Sequence, residues 1–376
     1  MGASLYVHVP FCVVKCGYCD FNSYVVPEVE AHDRFLQALA SELQAAWPGG
    51  TPVSVFFGGG TPSLLAPDRL QQLLAIVNRV TPLADCPEVT MEANPESITV
   101  EKAAIARGHG VRRFSMGVQS FHPHHLRFLD RAHTAERAVA AFGELRDAGC
   151  DNVSIDLMFG VPGETRDEWA SDLERALGLG PDHLSCYNLT FEPGTKLHAA
   201  MQAGEVDPND EEVDRAMFLH TRARLLDAGF EAYEISNFAG RGGMCRHNDH
   251  YWLQGDYVGV GPGASSHRAG VRWTNLKTVD AWARAALAGL PCAGSAETLS
   301  LEQRAGEALW LGIRRRDGVD LAAVARRLGI DIEARFAAPI ARHVEAGLVE
   351  RRDSRLALTA AGLLLADRVG ADYLAV

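Results

Sequence analysis

From residue 4 to about 230 the sequence predicts an α/β fold, a partial (β/α)6 barrel, and beyond about 300 a small winged-helix-like domain. Three observations carry this prediction. A strand-then-helix rhythm repeats six times, polar side chains recur where successive strands end, and the texture of the chain changes near 230 and near 300. The strands are SLYVHV (4–9), VSVFFG (53–58), EVTMEA (88–93), RRFSMGV (112–118), NVSIDLMFG (152–160) and HLSCYNLTF (183–191). Each is short, mostly apolar or β-branched, and bounded by Gly, Pro, Asn or Asp. Between them lie helical patterns such as AHDRFLQALASELQAAW (31–47) and DEWASDLERALGLG (167–180), with apolar residues at steps of three and four. Six units are too few for a closed eight-unit barrel, so an open barrel fits best and a doubly wound sheet is the alternative.

The expected divisions are 1–230 for the barrel, 231–298 for strands and loops capping it, and 299–376 for the terminal domain. The middle segment is rich in Gly, aromatic and polar residues. In the last, DLAAVARRLG (320–329) and FAAPIARHVEAGLV (336–349) read as helices, RRDSRLALT (351–359) as a hairpin, and AAGLLLADRVGADYL (360–374) as a final helix. Arg314, Arg315 and Arg316 invite a nucleic-acid reading. A formal charge of −12 argues against it, since phosphate contacts need a basic face. The run is better read as solvated charge on a packing module.

With 376 residues, 47% of them hydrophobic, the chain can bury a barrel-sized core and a smaller one. No apolar run approaches the ~20 residues that span a bilayer, and the start lacks a basic, apolar leader pattern. A cytoplasmic protein with at most peripheral membrane contact is expected.

Five of the eight cysteines, Cys86, Cys150, Cys186, Cys245 and Cys292, are scattered and read as small buried hydrophobes. The other three stand together in CVVKCGYC, as Cys12, Cys16 and Cys19. Soft thiolates suit iron–sulfur, and C-x3-C-x2-C lets one loop wrap one cluster. A [4Fe-4S] cluster held by three thiolates keeps one iron open to a substrate or cofactor. Structural zinc would want a second ligand pair downstream, and no such pair exists. Unrelated core cysteines are a poor fit, because the residues between them read as loop.

Sites on βα barrels gather at the C-terminal ends of the strands. There the cysteine loop follows strand 1 and GGGTPS (58–63) follows strand 2, its glycines permitting close backbone approach to a ligand. Glu92 ends strand 3, Gln119 ends strand 4 and Asp156 lies near the end of strand 5. Singly, each reads as a satisfied polar residue; together they point to a site.

CVVKCGYC preceded by YVHVPF and followed by GGGTPS resembles the radical S-adenosylmethionine (SAM) superfamily, in particular its coproporphyrinogen dehydrogenase-like branch. The resemblance implies that the open iron binds the amino and carboxylate groups of SAM, and that an electron from the cluster cleaves SAM to methionine and a 5′-deoxyadenosyl radical. It implies further that Tyr6 and Gly59–Gly60–Thr61 lie around the methionine and adenine ends of SAM and that Glu92 holds its amino group. Gln119, Arg131, Asp156 and Tyr18 match positions that contact a second SAM in the dehydrogenase; whether one binds here is left open.

Two features separate the chain from that dehydrogenase. Phe21 stands where the dehydrogenase has a fourth cysteine, and only eleven residues precede the cysteine loop. In contrast, RHNDHYW (246–252), SIDLMFGVPGET (154–165) and DYVGVGPGASS (256–266) resemble a haem-binding branch of the same superfamily. That branch implies a haem chaperone, passing haem as cargo to respiratory apoproteins. The resemblance makes His247 the candidate haem ligand, ahead of His250 and the thiol of Cys245, with Tyr251 and Trp252 available to face a macrocycle. Read from the residues alone, His247 and Asn248 brace a loop while Tyr251 and Trp252 pack on the barrel. The competing functions are an oxygen-independent coproporphyrinogen III oxidase, removing CO2 from propionate side chains, and a radical SAM enzyme acting on another substrate. Whether SAM is productively cleaved, and whether the protein forms a homodimer, the sequence leaves open.

Overall fold

A computed structural model describes residues 2–26 and 28–375. Six strands, β1 (Ser4–Val9), β2 (Val55–Gly59), β3 (Val89–Ala93), β4 (Arg113–Gln119), β5 (Val153–Phe159) and β6 (His183–Asn188), lie side by side in chain order and pair in parallel. The connections are helical: α1 (Val29–Ala46), α2 (Pro67–Val80), α3 (Val100–Gly108), α4 (Pro123–Phe128) with α5 (Ala135–Asp147), and α6 (Arg166–Gly178). After β6 come α7 (Lys196–Gln202) and α8 (Glu211–Asp227).

Alternation along the strands decides what each face does. Leu5, Val7 and Val9, Val55 and Phe57, Phe114 and Met116, and Val153, Ile155 and Leu157 are fully buried in the main core, which also takes Phe35, Leu39 and Leu43 of α1. The intervening residues, among them Glu92, Ser115 and Asp156, line a cavity instead. Helix starts are locally specified: the Thr99 and Thr134 hydroxyls accept amide hydrogen bonds at the starts of α3 and α5, and Thr165 with Glu168 forms a capping box on α6.

The segment expected to cap the barrel lengthens the sheet at both edges. On one side β7 (Glu231–Ala232) and β8 (Asn237–Ala239) pair antiparallel, β8 against β6. On the other, β9 (Tyr257–Val260) pairs parallel to β1, followed by antiparallel β10 (Ser265–Arg268), β11 (Val271–Asn275) and β12 (Ala293–Thr298). The sheet is open, with β12 and β7 at its ends. RHNDHYW is also not a loop: it forms α9 (Arg246–Trp252). Between β11 and β12 lies α10 (Val279–Leu287). Glu42 of α1 ties this edge down, accepting from the Gly261 amide (2.7 Å), Asn275 Nδ2 (2.6 Å) and Trp282 Nε1 (2.9 Å).

A second core belongs to the terminal module, with Leu309, Ile313, Phe336, Leu356, Val369 and Tyr373 among its residues. Its elements are α11 (Leu301–Ile313), β13 (Val319–Asp320), α12 (Leu321–Leu328), α13 (Ile332–Arg335), α14 (Ala337–Glu345), β14 (Val349–Arg352), β15 (Arg355–Leu358), α15 (Ala360–Leu363) and α16 (Ala366–Leu374). Three helices around a small sheet with a β14–β15 wing make it winged-helix-like; the expected final helix is broken in two near Leu364. The three successive arginines are engaged within the chain. Arg314 pairs with Asp367 (2.5 Å) and lies over the Trp252 ring, Arg315 pairs with Asp249 (2.6 Å), and Arg316 pairs with Glu231 and Asp317.

Candidate functional site

A cavity of about 1280 Å³ opens at the C-terminal ends of β1–β6 and is walled on one side by Leu348, Leu363 and Leu365 of the terminal module. Cys12, Cys16 and Cys19 line it, as free and partly buried thiols. Their loop is pinned by the Cys12 amide to the Tyr24 carbonyl (3.0 Å) and by the Cys19 amide to the Cys16 carbonyl (3.2 Å). Thr61 Oγ1 lies 3.6 Å from the Cys12 sulfur and Arg131 Nη1 3.5 Å from the Cys16 sulfur. Burial raises the Cys12 and Cys19 pKa values, so ionising these thiols needs a compensating positive charge, which a metal supplies.

The glycine run after β2 serves the chain's own packing. A Cβ on Gly60 would lie 2.7 Å from the Phe11 carbonyl oxygen, and one on Gly59, at φ +106°, would strike the His8 ring. This close approach lets the Gly60 amide bond the Val9 carbonyl and the Thr61 amide the Phe11 carbonyl, both at 2.7 Å, which fixes the cysteine loop against β2. Glu92 accepts from the Gly59 amide at 3.0 Å, and burial together with nearby Asp156 pushes its pKa up to about 8. Asp156 is also raised by burial, although Ser115 (2.9 and 3.0 Å) and Ser154 (3.3 Å) donate to it.

Gln119 ends β4 in the left-handed region, φ +67°, where the pairing with β5 slips register. That strained backbone accompanies a side chain on the cavity wall whose Oε1 is buried without a partner. Arg131 donates to Asn94 Oδ1 (2.6 Å) and the Gly117 carbonyl (2.7 Å). Burial opposes its charge, but Tyr18, Cys16 and Glu96 outweigh this and raise its pKa. Tyr18 lines the cavity and packs against a small apolar cluster that includes Leu129, Met158 and Leu197.

The structure thus gathers the cysteines, Tyr18, Gly59, Gly60, Thr61, Glu92, Gln119, Arg131 and Asp156 around one cavity. Tyr6 stands apart: its hydroxyl bonds His8 Nδ1 (3.1 Å), and it borders a second cavity beside Tyr251 and Tyr257. Two residues escaped the sequence reading. Asn94 joins Thr61 (2.8 Å) to Arg131, and Ser115 holds Asp156. Both follow the period-two alternation, Asn94 two residues beyond Glu92 and Ser115 on the inner face of β4, which is the signal that could have found them.

The structure gives His247, the candidate haem ligand, an enclosed setting. It is 1% exposed; its Nδ1 bonds Ser54 Oγ (2.8 Å), its Nε2 bonds the Tyr251 hydroxyl (2.9 Å), and its ring stacks on Phe56. In this structure both ring nitrogens therefore have hydrogen-bond partners within the fold. His250 bonds the Asp256 carbonyl (2.8 Å), and burial pushes the Cys245 thiol up to about 12, against the thiolate. The motif is a structural wedge: Glu88 accepts the amides of Arg246 and His247, both at 3.0 Å, capping α9 where no local side chain does. His247→Ala is therefore expected to lower stability by about 2 kcal/mol, by leaving the Tyr251 hydroxyl without its partner and opening a cavity, while leaving haem binding intact. Urea midpoints and a haem titration on the same variant check this.

An open, mostly parallel α/β sheet with three thiols and a ring of polar residues at its strand ends defines a protein of the radical SAM class, and residues 6–176 match the radical SAM superfamily while 299–365 match the HemN C-terminal domain. The chain is 41% identical to heme chaperone HemW of Mycobacterium tuberculosis over 97% of its own length and 93% of that protein. It is 34% identical to heme chaperone HemW of Bacillus subtilis over 99% of both chains. This chain belongs to the HemW family of the radical SAM superfamily. In fold it resembles coproporphyrinogen III oxidase (HemN) of Escherichia coli, with a TM-score of 0.85 at 24% identity, covering 99% of this chain and 90% of that one.

Membership of the superfamily implies a [4Fe-4S] cluster and SAM. The donor set fits: three soft thiols border one cavity, and an arginine and a threonine hydroxyl lie against two of the sulfurs. No helix among the described residues is long and apolar enough to cross a membrane.

Proposed function

We propose that the protein is a haem chaperone that binds haem, a [4Fe-4S] cluster and SAM and delivers haem to respiratory apoproteins, acting in the cytoplasm with at most peripheral membrane contact. The observation that carries this reading is the similarity to proteins named heme chaperone HemW, which runs through the barrel and the terminal module alike. In this reading Cys12, Cys16 and Cys19 hold the cluster. Glu92 receives the SAM amino group, Gly59, Gly60 and Thr61 border its methionine and adenine ends, and Gln119, Arg131, Asp156 and Tyr18 complete the wall. When bound, the cluster supplies an electron and one open coordination position. The chain's own residues orient SAM and keep water from the sulfurs.

The large cavity suits a haem cargo, with an apolar wall of Phe56, Met158, Phe159, Leu348, Leu363 and Leu365. His183, the one imidazole among its described lining residues, has both nitrogens bonded, to Ser154 (2.9 Å) and Tyr233 (3.0 Å). A haem held by apolar contact without a strong protein imidazole ligand is easier to hand over, as a carrier requires. The self-contained pairing of Arg314, Arg315 and Arg316 supports a packing role for the terminal module over a nucleic-acid one.

The test is a haem titration of anaerobically reconstituted protein, followed by mixing with an apocytochrome. About one equivalent bound, then lost to the acceptor, is expected. Haem that does not bind saturably, or that binds and never transfers, overturns the reading.

A further inference from the structure

Just beyond Gln119 the chain reads His122-Pro-His124-His125, and these imidazoles meet Glu168 at the start of α6. One ligand atom from each of His122, His124 and Glu168 can be chosen so that all lie within 4.8 Å of one another. His124 Nε2 is 3.0 Å from Glu168 Oε1. His125 adds a second observation. It is 2% exposed, its Nε2 has no hydrogen-bond partner, and that atom lies 3.8 Å from Glu168 Oε2. The His124 and His125 ring centres are 4.0 Å apart, and His122 is 5.7 and 5.6 Å from them. A buried imidazole nitrogen facing a carboxylate without bonding it is a cost unless something occupies the space between.

We propose that His122, His124 and Glu168, with His125 beside them, bind one divalent transition-metal ion of the zinc class. Two imidazoles and a carboxylate are a donor set that zinc and its neighbours accept. The groups are held from behind, as ligands are in metal sites. Glu168 Oε2 accepts from the Thr165 amide (2.9 Å) and hydroxyl (2.7 Å), leaving Oε1 toward His124. His122 Nε2 donates to the Glu168 carbonyl (3.1 Å), which leaves the lone pair on Nδ1.

None of these four residues borders the large cavity, so the site is separate from the cysteines. Its consequence is mechanical. Ser120 and the Phe121 amide already bond Asp172 of α6, at 2.5 and 2.9 Å. An ion on His122, His124 and Glu168 adds a second staple between α4 and α6, on either side of which stand Gln119 and Arg131.

The test uses the full chain with Cys12, Cys16 and Cys19 changed to alanine, which removes thiolate competition. Cobalt(II) is titrated in, then displaced by zinc. Expected is one equivalent of cobalt with weak visible bands and no sulfur-to-metal charge-transfer band, displaced by one equivalent of zinc. His124→Ala, at a half-exposed position, should weaken binding about 100-fold or more, because loss of a ligand costs at least as much as loss of its outer support. Glu168→Gln should act in the same direction. No saturable binding, a thiolate spectrum, or affinity unchanged in His124→Ala overturns the proposal.

Discussion

Changing Cys12, Cys16 and Cys19 together to alanine should abolish cluster binding, leaving anaerobically reconstituted protein colourless and with essentially no iron. The effect is large because no other described cysteine can substitute. Cys86, Cys150, Cys186, Cys245 and Cys292 are all buried, and burial pushes the Cys150, Cys245 and Cys292 thiols up to about 11, 12 and 12. The fold should survive. The loop is held by backbone bonds, Cys12 amide to Tyr24 carbonyl (3.0 Å) and Tyr24 amide to Pro10 carbonyl (2.7 Å), and the three side chains are only partly buried. Stability within about 1 kcal/mol of the parent is expected by urea denaturation. Cys86→Ala, as control, should keep its iron. Full iron in the triple variant would remove the cluster from these residues.

Glu92→Gln should weaken SAM binding by about 30-fold or more, from about 2 kcal/mol or more for a lost charged partner in a buried site. The pH dependence gives a sharper signature. Burial, with Asp156 nearby, raises the Glu92 pKa from its ordinary 4.5 to about 8, so below that pH the free protein holds it as the neutral acid. An ammonium group binds the carboxylate, so SAM affinity should rise as pH increases toward 8, and the variant should lack that slope. Stability runs the other way. A carboxyl whose folded pKa lies above its unfolded value favours the fold most below about pH 4.5, and that contribution is lost as pH rises through 8. Glu92→Gln should therefore be the more stable protein above pH 8. Calorimetric titration and urea midpoints on either side of pH 8 measure both slopes. A variant with parental SAM affinity would place the amino group elsewhere.

Much of the barrel was legible because each strand carries two messages at once. In RFSMGVQ the alternate residues Phe114, Met116 and Val118 bury against helices, while Ser115, Gly117 and Gln119 face the cavity, so one pattern announces both strand and site. What was missed depends on distant partners. RHNDHYW is too short for a clear apolar stripe, and its cap, Glu88, lies far away in sequence, so nothing local marks it as helix. The strand at Tyr257–Val260 lay in a glycine-rich stretch read only as strands and loops capping the barrel, with no place in the sheet. Gly259 and Gly261 are there because Cβ atoms would strike the Ser265 and His8 carbonyls. His247 shows the same limit: its surroundings, hydrogen bonds to Ser54 and Tyr251, are set by tertiary contacts, and sequence shows only the imidazole. The cysteine spacing needed no tertiary information, since one loop supplies all three thiols.

The most direct test separates a carrier from an oxidase in a single sample. Reconstituted protein with an intact cluster is supplied with SAM, a reductant and coproporphyrinogen III, and decarboxylated product is counted against protein while haem binding is measured on the same material. No product beyond one turnover, with haem bound, is the expected result. Multiple turnovers of coproporphyrinogen III would contradict the chaperone reading and make the cavity an oxidase active site.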